Sequence, residues 1–148
     1  MRNVPAAAAT IAAALLALCG SRAEGATGPS TVRITAVQLT SHVVARRGSV
    51  GELEVIRLRL FNPSVTSRSI GRGDLICTRL DSRSRSCSGV YSLPRGRLLV
   101  GGLVTTRLLY ELGVTGGTGL YDNARGSVVI TATSFTPRKE VLVFRLTG

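Results

Sequence analysis

Residues 114–126 read VTGGTGLYDNARG, four glycines around a Tyr-Asp-Asn cluster with an Arg near the end. The reading of this stretch decides the fold. A phosphate-binding loop needs glycines that lead from a strand into a helix N-terminus, where unpaired amides face the anion. Here the segment that follows is SVVITAT (127–133), rich in the β-branched residues that suit a pleated strand. The Gly-x-Gly-x-x-Gly spacing is also broken: after Gly117-Thr118-Gly119 the third position falls on Asp122, and no Lys-Ser or Lys-Thr pair accompanies it. The glycines therefore serve the backbone. Gly116, Gly117, Gly119 and Gly126 supply positive φ or close chain approach in a tight, bulged connection between two strands.

Working outward, the same grammar recurs on both sides. Residues 31–39 alternate Val32, Ile34 and Ala36 against Arg33, Thr35 and Val37. Residues 52–61 place Ile56, Leu58 and Leu60 on one face and Arg57 and Arg59 on the other. Residues 62–73, NPSVTSRSIGRG, read as a polar turn region. DLICTRL (74–80) and SCSGVYSL (86–93) flank a loop of turn formers, and Pro94-Arg95-Gly96 turns the chain into RLLV. TTRLLYELGV (105–114), GSVVITATSF (126–135) and the final VLVFRLTG complete the series. Strand-like runs broken by turn residues at such spacing predict an all-β sandwich or barrel. Short connections join antiparallel neighbours, and eight meandering strands can close on themselves and remove their edges. The sequence thus predicts an eight-stranded antiparallel β-barrel over residues 31–148, either filled by side chains or holding one small ligand.

The N-terminus is of another kind. A basic start at Met1-Arg2-Asn3, an uncharged apolar run over Ala6–Leu18 and the small-residue stretch CGSRAEGA read as a secretory signal peptide over 1–23, cleaved after Ala23. Residues 24–30 read as a leader. An alternative reading anchors the chain through a lipidated Cys19, which directly follows the apolar run, although Leu18 stands where a small residue should precede it. The sequence predicts a secreted or extracytoplasmic protein without a membrane span.

Of the 148 residues 19 are Lys or Arg and 8 Asp or Glu, a net charge of +11 that favours anionic partners. The arginines are nevertheless scattered singly through strand-like segments. No Trp and few Tyr or Phe are available to stack bases, so nucleic-acid binding is not expected. Cys77 and Cys87 remain after the signal, and in an exported chain they invite one disulfide across a hairpin, with a free thiol pair as the competing reading.

Catalytic constellations are sparse. His42 is the lone histidine, no Gly-x-Ser-x-Gly elbow exists, and no Cys/His/carboxylate spacing fits zinc, so no metal is expected. Arg72-Gly73-Asp74, a tripeptide known from adhesion ligands, reads as the opening of a strand, and Pro63 blocks glycosylation at Asn62.

YELGVTGGTGLYDNARGSV resembles the signature of dirigent proteins and of the allene oxide cyclase-like barrel superfamily. It matches an acidic residue, an apolar strand, Gly-Gly-Thr-Gly, an aromatic and Ala-Arg-Gly at Glu111, Gly116, Gly117, Thr118, Gly119, Tyr121, Ala124, Arg125 and Gly126. The upstream half from Val50 is similar to that of secreted bacterial members. The resemblance implies an eight-stranded antiparallel barrel, often trimeric in plant members and hence a homo-oligomer, that steers a reactive apolar intermediate in cyclisation or coupling without metal or organic cofactor. It carries Glu111 and Arg125 over as catalytic candidates, with Tyr110 beside them in the strand. An inward Glu111 would act as acid or base; the competing reading pairs Glu111 with Arg125 to fix the glycine corner. Tyr91, Arg107, Tyr121 and Asp122 are the ligand-binding candidates, and Asp122 departs from the Arg that plant members place there. Three functions follow: a cyclase or isomerase-like steering protein, a non-catalytic small-ligand carrier, or a cell-envelope structural protein whose basic face meets anionic polymer.

Overall fold

The structure, a computed structural model, describes residues 30–63 and 65–147. The expected signal peptide, the leader up to Pro29 and Cys19 lie outside the described residues. The rest is eight strands: β1 (Ser30–Ala45), β2 (Leu53–Asn62), β3 (Val65–Arg79), β4 (Arg85–Leu93), β5 (Gly96–Val104), β6 (Leu109–Gly119), β7 (Arg125–Phe135) and β8 (Arg138–Thr147). Each pairs antiparallel with its neighbours in sequence, and β1 pairs with β8, so the sheet closes into a barrel without a free edge.

Alternation along each strand sends one set of side chains inward. Ile34, Leu60, Leu98, Leu112, Val128, Ile130, Leu142 and Phe144 are almost wholly removed from solvent. Tyr91 sits among them, its ring edge-on to Phe144 with centroids 5.4 Å apart. Extra residues interrupt the ladder at Leu39, Val44, Ile70, Thr115 and Thr133, and the register shifts again between Phe61 and Asn62. Such bulges increase local twist and help a sheet curl into a closed wall.

One local expectation changes. Residues 65–73 are not a turn but the first part of β3, paired with the end of β2. The polar and glycine content that suggested a turn has a packing cause. Gly73 lies opposite Tyr91, and a Cβ there would meet the tyrosine ring at 2.9 Å. His42 stands in β1 opposite Val55.

The glycine stretch is resolved in the same way. Gly116, Gly117 and Gly119 continue β6 beyond the end of its pairing with β7, bonded to β5 alone; Gly117 faces Leu98 and Gly119 faces Gly96. The turn proper follows at residues 120–124, where the Leu120 amide donates to Arg95 O and the Ala124 amide to Tyr121 O. Gly119 (φ 66°) needs the left-handed region, and a Cβ on Gly117 would lie 2.1 Å from Tyr121 O.

Candidate functional site

The two ends of the barrel differ. At one end the lumen is filled by Leu60, Leu98, Val114, Ala124, Phe144 and Leu146. At the other a cavity of about 260 Å³ opens where β2 and β8 begin and β3 and β5 end. Its inner wall is apolar: Ile56, Leu58, Leu75, Val104 and the Cys77–Cys87 pair. Cys77 and Cys87 are direct cross-strand partners joined by a disulfide, buried against the core.

The rim is charged, and alternation explains why. Glu54 shares the inward parity of Ile56 and Leu58, Glu140 that of Leu142 and Phe144, and Arg85 that of Cys87 and Tyr91. Two ion clusters result. In the first, Arg85 pairs with Glu54 and also lies 3.6 Å from Glu52; Arg79 Nη2 donates to Glu52 at 2.9 Å; Arg107 lies 3.5 Å from Glu54. Ser41 donates its hydroxyl to Glu54 as well. The Gly48 amide and then Arg79 hold the Glu52 carboxyl below its ordinary value. In the second cluster Arg138 pairs with buried Glu140 at 2.7 Å, and Tyr110 donates its hydroxyl to the same carboxylate at 3.4 Å. Arg138 also donates to the Arg107 carbonyl at 2.8 Å, which links the clusters across the mouth.

Burial, reinforced by the Glu140 charge, pushes the Tyr110 phenol well above its usual value, so it stays protonated and donating. Tyr91 lies deeper, fully buried, and its phenol is pushed up by burial first and then by Tyr110 and Glu140. Its hydroxyl has no hydrogen-bond partner among the described residues.

The candidates from the sequence therefore separate. Tyr110 and Arg107 stand in the cavity wall. Tyr91 is in the core and does not line the cavity. Glu111 occupies the opposite face of β6 from Tyr110 and is exposed on the outside of the barrel, so the expectation of an inward Glu111 does not hold. Adjacent strand residues cannot both face the lumen, and Leu112 and Val114 fix the choice. Arg125, Tyr121 and Asp122 lie at the filled end, away from the cavity. Arg125 is exposed and donates to the Ala124 carbonyl at 3.0 Å; no ion pair with Glu111 is present. Tyr121 packs on the core, and Asp122 accepts from Asn123 at 3.3 Å. Gly116, Gly117, Gly119 and Gly126 all belong to that same end. Glu54, Arg85, Arg138 and Glu140 were not singled out from the sequence, although the parity of Ile56, Cys87 and Leu142 carried the signal.

Two larger hollows, of about 900 and 860 Å³, lie outside the barrel over β2–β5. They are open furrows beside the Leu39 bulge. Their charged groups, such as Arg57 and Arg72 around Asp74 at 3.7 and 3.5 Å, are solvated, so the enclosed mouth is the better chemical site.

No family model matches the sequence, and no curated protein does. Solved structures do match. A pyocyanin demethylase superposes with a TM-score of 0.64 at 20% identity, over 78% of this chain and 99% of its own. A pterocarpan synthase dirigent protein gives 0.66 at 15% identity, over 80% and 86%. AbnU, an exo-specific intermolecular Diels-Alderase, gives 0.64 at 14% identity, over 82% and 99%. On these superpositions the chain shares the fold of the dirigent and Diels-Alderase structures.

Proposed function

We propose that this protein is an exported barrel that takes a small, mostly apolar molecule into the mouth cavity and steers its cyclisation or coupling. The observation that carries the reading is the cavity itself: an apolar wall under a rim of converging, mutually held polar groups. Its volume of about 260 Å³ falls just below the ~300–1,000 Å³ usual for drug-sized ligands, so the guest is small. Ring-forming proteins of the same fold support the choice of reaction class, since a pterocarpan synthase and a Diels-Alderase are among them. The Cys77–Cys87 bridge supports an oxidising compartment.

The chemistry asked of the protein is modest. Ile56, Leu58, Leu75 and Val104 hold the apolar body of the guest in one folded shape, which removes the entropy of bringing two ends together. Tyr110, kept neutral by burial, has a single proton; with the guest in place the hydroxyl turns from Glu140, 3.4 Å away, and donates to an oxygen on which negative charge develops. Glu140 stays paired with Arg138 at 2.7 Å when the phenol turns away. No bond to the protein is formed.

The test is mass spectrometry of small molecules that co-purify with the mature protein, followed by turnover or retention assays on variants. Tyr110→Phe is expected to lose about tenfold or more in turnover, and Glu111→Gln, on the outer face, to lose nothing. Filling the mouth with Val104→Phe should abolish retention. A guest retained equally by the filled variant would refute the lumen as the site. Full retention with unchanged product in Tyr110→Phe would leave a carrier, not a steering protein.

A further inference from the structure

Beside the main cavity lies a second, smaller one of about 140 Å³, between the β3–β4 turn and the β5–β6 turn. The two share Arg85, Val104 and Arg107 as a common wall. Arg79 and Arg83 complete its cationic lining, and Asp81 is its one acidic lining residue. The count of charges understates the asymmetry. Asp81 is saturated: it accepts from the amides of Arg83 and Ser84 at 2.7 Å each and from the Ser84 hydroxyl. Those bonds hold its carboxyl below the ordinary value. Glu52 and Glu54 are likewise committed, to Gly48, Arg79 and Arg85 and to Ser41, Arg85 and Arg107.

The donors, by contrast, are in surplus. A guanidinium carries five N–H groups. Arg79 Nε is buried without a hydrogen-bond partner among the described residues. Arg107 makes a single long contact with Glu54 at 3.5 Å and its side chain is 58% exposed. Arg83 sits exposed on the turn. Surplus fork-shaped donors around a small polar space, next to carboxylates already spoken for, fit an oxyanion. At ~30 Å³ per water the space equals a few water molecules, enough for a carboxylate or a phosphate group.

We propose that this rim pocket binds the anionic head of the lumen guest, which makes the guest an amphipathic molecule: an apolar body with a carboxylate or similar oxyanion at one end. The shared Arg85–Val104–Arg107 wall gives the connection: Val104 belongs to the apolar lining of the lumen, and Arg107 lines both cavities. This inference rests on the lumen reading, and its test separates the two. The probes are octanoate, octanol and inorganic phosphate, titrated calorimetrically into the mature protein. The variants are Arg83→Gln and Arg107→Gln, with thermal midpoints to confirm folding; Arg83 holds no ion pair among the described residues, so its replacement leaves the rim intact.

Octanoate is expected to bind about tenfold or more tightly than octanol, as charge-assisted hydrogen bonds require. Each variant should erase most of that difference, Arg83→Gln should leave octanol unchanged, and added salt should weaken octanoate alone. Equal affinity for octanoate and octanol, or a preference that survives both substitutions, overturns the oxyanion site while the lumen reading stands. Arginine-dependent binding of phosphate with no binding of either octyl probe overturns the head-group assignment and the lumen reading together. Silence of all three probes overturns both as well.

Discussion

Tyr91 is the residue whose chemistry contrasts most with its surroundings. It is fully buried against Phe144, Gly73 makes room for its ring, and its hydroxyl finds no acceptor among the described residues. A buried hydroxyl without a partner costs about 1–3 kcal/mol. Tyr91→Phe keeps the ring and removes that cost, so the variant is expected to be more stable by about 1 kcal/mol in denaturant unfolding. A loss of stability instead would show that the hydroxyl is bonded. Tyr110 is the counterpart one layer nearer the mouth. Its hydroxyl reaches Glu140, it faces the cavity, and its protonated state makes it a donor rather than a nucleophile. Glu111, its neighbour in sequence, shows how little adjacency means in a strand: one position along, the side chain leaves the lumen for solvent.

At the scale of elements, the β3–β4 hairpin organises the mouth. Cys77 and Cys87 lie directly opposite, and two positions further on Arg79 and Arg85 reach back to Glu52 and Glu54 at the start of β2. The disulfide thus clamps the hairpin just below the first ion cluster. The loop it closes is short, and a bridge of that span stabilises by about 2–3 kcal/mol. The double replacement of Cys77 and Cys87 by alanine is expected to lower unfolding stability by that amount, read from the denaturant midpoint at constant m-value. An unchanged midpoint would place the hairpin's order in the backbone ladder alone. The β6 extension at the far end plays a different part. Its glycines let β5 and the 120–124 turn close over the chain, and they touch nothing in the cavity.

For the whole molecule, the ion clusters make stability depend on pH. The folded-state pKa values of Glu52 and Asp81 are lowered, Glu52 mainly by the Gly48 amide and Arg79 and Asp81 mainly by the Ser84 hydroxyl and neighbouring amides. A lowered value means the native state binds fewer protons than the unfolded chain. The stabilisation is therefore complete above the ordinary values of 4.5 and 3.8 and is lost as pH falls through the folded ones. Unfolding free energy measured from pH 6 downward should decline from about the ordinary carboxylate range, and in Glu52→Gln the decline should be shallower. Parallel curves for the two proteins would remove Glu52 from the acid response. The same closure that seats these charges also leaves no edge strand, so exposed Leu99, Leu103 and Leu109 sit on strands paired with a neighbour.

Alternation and turn residues by themselves determined the all-β class, the eight strands, their antiparallel order and the cross-strand placement of Cys77 and Cys87. These follow from local rules, since side-chain parity and short connections act over a few residues at a time. Glycine content misled at residues 65–73, because Gly73 answers to Tyr91 across the sheet and not to a turn of its own. Only the tertiary structure decided which end of the barrel is hollow. The glycine motif drew attention to Glu111, Arg125, Tyr121 and Asp122, while the open mouth lies at the other end, among Glu54, Arg85, Arg107, Tyr110 and Glu140. Those five come from β2, β4, β6, β8 and the β5–β6 turn, far apart in the chain. What brings them together is the register of a closed sheet, a property of all eight strands that no single segment encodes.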